Sequence, residues 1–233
     1  MKMIMFISIC LFSISKISSQ NVYNKVFVIG NSLTIGFGTH GMASSNVQTD
    51  YYYRVQQALL STNQELQMTR MNGSFWESGS DGINDGQSSV RECFLDNSVK
   101  RNIDGTEDLI IIQLGDNVNS VDKRTTFKED IVTMINWFLE HCKKARIIWV
   151  YGWYEVSSNM PLLEKAISAT GKCELVNISR YNTDDKYKSA IGNKYSNDEG
   201  DIETIISEGV ASHPGDLGME IIANEINNNI NNR

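Results

Sequence analysis

No run of eighteen or more apolar residues occurs in this chain, so a membrane-spanning helix is not expected. Basic clusters are missing as well. With 21 lysines and arginines against 28 aspartates and glutamates, the formal charge is −7, and a surface of that sign does not attract nucleic acid or anionic membrane. The four cysteines, Cys10, Cys93, Cys142 and Cys173, have no short spacing, which excludes a zinc knuckle and a disulfide scaffold. Histidine is scarce: His40, His141 and His213 are the only three. Any imidazole base must come from that short set.

What is present begins with the N-terminus. Lys2 precedes an apolar stretch, residues 3–14, and small or polar residues follow at 15–20. This is the order of a secretory signal peptide. We expect residues 1–20 to be removed after Ser19 or Gln20, leaving one domain over 21–233 in a secreted or periplasmic protein. The lost segment carries Lys2 and Lys16 but no acid, so the formal charge would move from −7 to −9. A neutral substrate, or one with few negative charges, fits that surface. Cys10 has no small residue before it, which disfavours a lipoprotein anchor. Cys142 and Cys173 each precede a predicted strand. Two free buried thiols are expected there, with a disulfide left open by the oxidising compartment.

With 41% hydrophobic residues over 233 positions, the chain can bury a sizeable core. Apolar runs at 26–29, 66–71, 109–114, 147–151 and 175–178 predict five short strands, several continuous enough to be buried on both faces. Helical spacing separates them: Tyr52, Val55, Leu59 and Leu60; Phe127, Ile131, Met134, Ile135 and Phe138; then Leu163, Ala166 and Ile167, with Pro161 expected to open that helix from its first turn. Leu217, Ile221, Ile222 and Ile226 mark the last helix, before an Asn-rich tail expected to fray. This alternation predicts an α/β fold, a five-stranded parallel sheet with right-handed crossovers and helices on both faces. The stretch 181–209 reads as a long polar loop, and its acids at 197–201 match no calcium loop.

Ligands in such sheets bind beyond the carboxyl ends of the strands. The segments after four predicted strands, 30–34, 72–77, 115–119 and 152–155, are rich in Gly, Asn, Ser, Trp and Glu. Ser32 follows the first strand. An isolated serine there is usually a helix N-cap, but it becomes a nucleophile when a base takes its proton. His213, followed by Pro214, is the best base. His141 falls at a helix C-terminus on the opposite edge of the sheet, where it complements the helix dipole. His40 lies in a Gly-rich loop with no assigned proton transfer. Asn117, after the third strand, is either a turn residue or an amide donor for a tetrahedral oxyanion.

Three blocks in this order resemble the SGNH (GDSL-type) hydrolases: Gly30-Asn31-Ser32-Leu33, Gly115-Asp116-Asn117 and Ser212-His213-Pro214. The resemblance covers nearly all of 21–233. It implies a flavodoxin-like three-layer α/β/α sandwich and an ester-cleaving enzyme that needs no metal or cofactor. Ser32 would be nucleophile and His213 general base. The Ser32 backbone N–H, the Asn117 side chain and a glycine after the second strand would form the oxyanion hole. Gly73 is the expected glycine, with Gly79 behind it. Two residues depart from the family pattern. Asn31 stands where an aspartate is usual, a change expected to matter little to proton transfer. Val210 stands three residues before the histidine, where an acid is usual. Glu208 and Asp216 are nearby without matching spacing, so a backbone carbonyl is expected to orient His213, giving a Ser-His dyad.

Trp76-Glu77 and Trp153-Tyr154-Glu155 follow the second and fourth strands. Aromatic faces beside carboxylates at a pocket mouth suit sugar rings, and simple packing under loops is the alternative. Trp76, Glu77 and Trp153 are therefore expected substrate contacts. The expected function is hydrolysis of short acyl esters, acetyl in particular, on a small molecule or a carbohydrate. An acyltransferase on the same fold, or a non-catalytic carbohydrate-binding protein motivated by Val210, are the alternatives. No nucleic-acid partner and no stable membrane insertion are expected.

Overall fold

The computed structural model describes residues 21–78, 90–197 and 199–232. The expected signal peptide and Gly79 lie outside them. In chain order the elements are β1 (Lys25–Gly30), α1 (Tyr51–Leu60), β2 (Gln67–Asn72), α2 (Ser74–Glu77), α3 (Val90–Asn97), β3 (Leu109–Gln113), α4 (Val121–Arg124), α5 (Phe127–His141), β4 (Arg146–Tyr151), α6 (Val156–Thr170), β5 (Cys173–Asn177), β6 (Lys194–Ser196), β7 (Ile202–Thr204), α7 (Glu208–Ala211) and α8 (Asp216–Asn231).

The first five strands form one parallel sheet in the order β2-β1-β3-β4-β5. Alternation of side chains along each strand divides the core in two. Phe27, Ile29, Ile110, Ile112, Ile147 and Trp149 face α3, α5 and α6, where Leu95, Ile131, Ile135, Phe138 and Leu163 meet them. Val26, Val28, Leu109, Ile111, Ile148 and Val150 face α1 and α8 through Val55, Leu59, Met219, Ile222 and Ile226. Helices on both faces make the expected three-layer α/β/α sandwich. All five expected strands are present within a residue or two of their predicted bounds.

Three expectations are corrected. Pro161 does not open its helix: α6 starts five residues earlier. Its first turn is fixed by Asn159, whose buried side-chain amide donates to the carbonyls of Gly115 (3.0 Å) and Val118 (2.9 Å). The Asn-rich tail is helical to Asn231. Ile230 is buried there, and Arg146 donates to the carbonyls of Asn229 (2.8 Å) and Ile230 (3.0 Å), capping a helix end that would otherwise hold unpaired acceptors. The 181–209 stretch carries an antiparallel hairpin, β6–β7. Cys142 and Cys173 are both buried free thiols, and Cys142 donates to Glu107 at 3.3 Å. His141 lies at the amino edge of the sheet, as expected, with Nδ1 2.8 Å from the Trp137 carbonyl.

Arg146 also makes a two-pronged pair with Glu174 on β5, at 2.9 and 2.7 Å, so it ties the sheet edge to α8. Arg146→Met should keep the packed stem and lose those bonds. We expect unfolding stability to drop by about 2 kcal/mol, measured by urea denaturation followed by circular dichroism.

Candidate active site

Parallel strands place the ends of β1 and β3 side by side, and the chain leaves the sheet at Ser32 and Asn117 together. Gly30 allows the exit. A Cβ there would overlap the Thr34 hydroxyl at 1.8 Å. Thr34 donates to the Gln113 side-chain oxygen Oε1 (3.2 Å) and so accepts from Tyr51 OH (2.6 Å), pinning the turn to β3 and α1. Asn31 Oδ1 accepts from the Leu33 N–H at 3.0 Å, the local turn expected of an asparagine after a strand. Among the described residues, nothing accepts from the Ser32 backbone N–H.

Ser32 Oγ lies 2.8 Å from His213 Nε2, and His213 Nδ1 lies 2.8 Å from the Gly209 carbonyl oxygen. A carbonyl can only accept, so Nδ1 carries the ring proton and Nε2 presents its lone pair to the serine hydroxyl. The Gly209 carbonyl is free for this role because of Pro214. A helix running on from α7 would bond Gly209 O to the backbone N–H of residue 213. Proline disfavours helical backbone in the residue before it, and the His213 N–H turns instead to Val210 O (3.0 Å). The Ser212 hydroxyl also donates to Gly209 O (2.9 Å) and accepts from Tyr154 OH (3.0 Å). Trp153 Nε1 donates to the Ser212 carbonyl (3.0 Å), and Tyr154 meets the imidazole edge-on at 5.5 Å. Burial holds the His213 pKa below its usual 6.5.

The nearby acids do other work. Asp216 accepts from the Ser45 N–H (2.8 Å) and hydroxyl (2.7 Å). Glu208 is exposed on α7. Val210 packs with Ala43, Ile205 and Ala211.

Beneath Ser32 and Asn117 lies a polar network that sequence reasoning missed. Glu77, fully buried, accepts from Gly115 N (2.6 Å), Asn117 N (3.3 Å), Asn117 Nδ2 (2.6 Å) and Asn31 Nδ2 (3.0 Å). Asp116 accepts from Asn31 Nδ2 (3.2 Å), Gln113 Nε2 (2.6 Å) and the Tyr154 N–H (2.8 Å). Asn31 therefore bridges two buried carboxylates, a structural part separate from proton transfer. Burial raises the pKa of Glu77. Burial and the neighbouring Glu77 charge push Asp116 up to about 7. Gly115 adopts φ +123°, and any side chain there would strike the rings of Tyr151 and Phe127. Only glycine can carry the loop that delivers two N–H groups to Glu77.

Other expected contacts are corrected. The Gly73 N–H donates to the Gly30 carbonyl at 2.7 Å, extending the β1–β2 ladder, so it is not available as an oxyanion donor. Its lack of a side chain serves packing against Ile29 and Leu114. Trp76, Glu77 and Trp153 are not rim residues. Trp76 is 0% exposed against Trp149 and Phe127, Glu77 is buried in the network above, and Trp153 is 3% exposed beneath the His213 segment. His40 is buried as well.

No family model and no curated relative matches the chain in sequence. In structure it is similar to a two-domain esterase active on acetylated mannans, with a TM-score of 0.57 at 13% identity over 90% of this chain and 48% of that one. It is also similar to a family two carbohydrate esterase from Clostridium thermocellum in complex with cellohexaose (TM-score 0.55, 13% identity, 90% and 64% covered). An acetyl xylan esterase from the rumen bacterium Butyrivibrio proteoclasticus gives a TM-score of 0.51 at 17% identity, with 90% and 63% covered. The chain thus spans about half to two thirds of the length of these esterases. At such identities the likeness is one of fold, the three-layer α/β/α sandwich on a parallel sheet.

Because Trp76 fills the core rather than a pocket mouth, Trp76→Ala should act on folding. We expect a loss of about 3–5 kcal/mol in urea unfolding, where a sugar-stacking residue would weaken ligand binding and leave stability nearly unchanged.

Proposed function

We propose that the protein is a serine esterase that removes short acyl groups, acetyl above all, from carbohydrates or related alcohols. The observation that carries this reading is the imidazole held between two partners: Gly209 O fixes the proton on Nδ1, and Nε2 faces Ser32 Oγ at 2.8 Å. Ser32 Oγ attacks the ester carbonyl as its proton passes to Nε2. The Ser32 backbone N–H and the Asn117 side chain stabilise the oxyanion. His213 then protonates the departing alkoxide, leaving an acyl-enzyme. A water molecule, deprotonated by His213, attacks that ester, and the carboxylic acid leaves as Ser32 regains its proton.

The acetylated substrates named for two of the fold neighbours support the carbohydrate part, as does the acidic surface. The N-terminal pattern supports export to a secreted or periplasmic location. An acyltransferase would use the same residues and differ only in which hydroxyl takes the acyl group. The non-catalytic reading loses its motive, since Gly209 O supplies the acceptor that Val210 lacks.

Deacetylation of acetylated xylan, acetylated mannan and aryl acetates is the direct measurement. Ser32→Ala should lower kcat by about a thousandfold or more and abolish labelling by a fluorophosphonate. Activity confined to long-chain lipid esters would remove the carbohydrate assignment, and an unlabelled wild-type Ser32 would remove the esterase. The base must be neutral to accept a proton. Because burial lowers the His213 pKa, kcat/KM should fall on acidification, with a midpoint below 6.5. A midpoint at or above 6.5 would show that burial does not depress the His213 pKa in the working enzyme.

A further inference from the structure

Glu77 is a buried carboxylate to which the proposed mechanism gives no step, yet it touches both loops of the site. It receives the side chain of Asn31, next to Ser32, and both the backbone and the side chain of Asn117. We propose that Glu77 is a positioning residue: its acceptor-only carboxylate fixes which way the Asn117 amide faces, so that an N–H is presented to the oxyanion formed at Ser32. This deepens the esterase reading and rests on it.

The reasoning turns on what each atom can do. A terminal amide has two ends of nearly equal size, and rotating it by half a turn exchanges NH₂ for oxygen. An oxygen placed at the oxyanion position would repel the negative charge that a donor must stabilise. Something therefore has to specify the orientation. Glu77 Oε2, 2.6 Å from Asn117 Nδ2, can accept but not donate while ionised. It holds one amide hydrogen and leaves the second for the reacting oxygen. Glu77 Oε1 cannot turn away, because the backbone N–H groups of Gly115 and Asn117 both point at it. These donors, with the Asn31 amide, also offset the cost of burying the charge. A hydrogen bond to a charged acceptor is about twice as strong as a neutral one, which suits a group that must resist rotation in every catalytic cycle.

Glu77→Gln tests this with little change of shape. Its carbonyl oxygen can keep the Oε1 bonds, but its NH₂ then faces Asn117 and favours the reversed amide. With an aryl acetate, kcat should fall about tenfold to a hundredfold, below the full loss of a donor, with KM within about twofold. In an Asn117→Ala background the same substitution should slow the enzyme by no more than about twofold, because there is no amide left to orient. A Glu77→Gln enzyme as fast as wild type overturns the proposal. So does a loss that multiplies with that of Asn117→Ala, which would mark general structural damage.

The wild type alone offers a check that needs no variant and no turnover. Its Asn117 side-chain amide should give one strongly protected, downfield-shifted proton in ¹⁵N–¹H spectra. Two freely exchanging protons would overturn the assignment of Glu77. The protected proton in a wild type that cleaves no ester would instead retire the esterase reading while leaving the Glu77–Asn117 lock in place.

Discussion

Parallel pairing imposes the constraint on which the site depends. When five strands run the same way, every carboxyl end opens on one edge, and loops that follow β1, β2, β3 and β4 are forced into one another's company. Ser32, Glu77, Asn117 and Trp153 are as many as 121 positions apart in the chain, yet each follows directly from a strand end on that edge. His213 reaches the same edge from a different direction. The backbone around it is pinned to the 187–189 segment, with the Ser189 N–H donating to His213 O and the Gly215 N–H to Tyr187 O, both at 2.9 Å.

A second regularity runs through the chemistry. The groups proposed to react are each oriented by a partner that can only accept hydrogen bonds. Gly209 O determines which nitrogen of His213 carries the proton, and the Glu77 carboxylate determines which end of Asn117 carries hydrogens. An acceptor-only partner removes an ambiguity that a hydroxyl or an amide, each able to donate and accept, would leave. Tyr154 connects the two halves, because its backbone N–H reaches Asp116 and its hydroxyl reaches Ser212, whose own hydroxyl shares the Gly209 carbonyl. The Ser32 loop, the Asn117 loop and the His213 segment are thus one hydrogen-bonded body, in which small displacements of one part are felt by the others.

How far the sequence exposes this arrangement depends on how local each signal is. Strands such as β3, apolar at Leu109, Ile110, Ile111 and Ile112, announce themselves, because burial on both faces leaves no polar position in the run. The Ser32 and His213 blocks were legible for the same reason of locality. The β6–β7 hairpin was not: its strands are three residues each, and Ile202 on it is largely exposed, so no alternation of burial marks them. Trp76 and Trp153 looked like pocket aromatics because residue type cannot say which way a short helix or loop will turn its face. Long-range packing on Trp149 and Phe127 decided that for Trp76. Gly209 was the hardest to foresee, since the acting group is a main-chain carbonyl, and its only trace in the sequence is Pro214, five residues on, which halts the helix.

The two departures from the family pattern now have a common explanation. Glu77 and Asp116 already place two carboxylates against the Asn31 side chain, and burial together with the Glu77 charge raises the Asp116 pKa. An aspartate at 31 would add a third acid to a buried cluster and remove both N–H groups that bridge the first two, exchanging two charge-assisted bonds for two repulsions. Asparagine is the residue of the same size that turns this cluster from self-repelling to self-satisfying. At position 210 the logic is complementary. The acceptor for His213 comes from the backbone, so the side chain there is released to pack against Ala43 and Ile205, holding α7 against the loop that carries Ala43. Neither substitution, on this account, marks a decayed site. The buried carboxylates lie beneath the proposed oxyanion donor, and a neutral carbonyl serves the histidine.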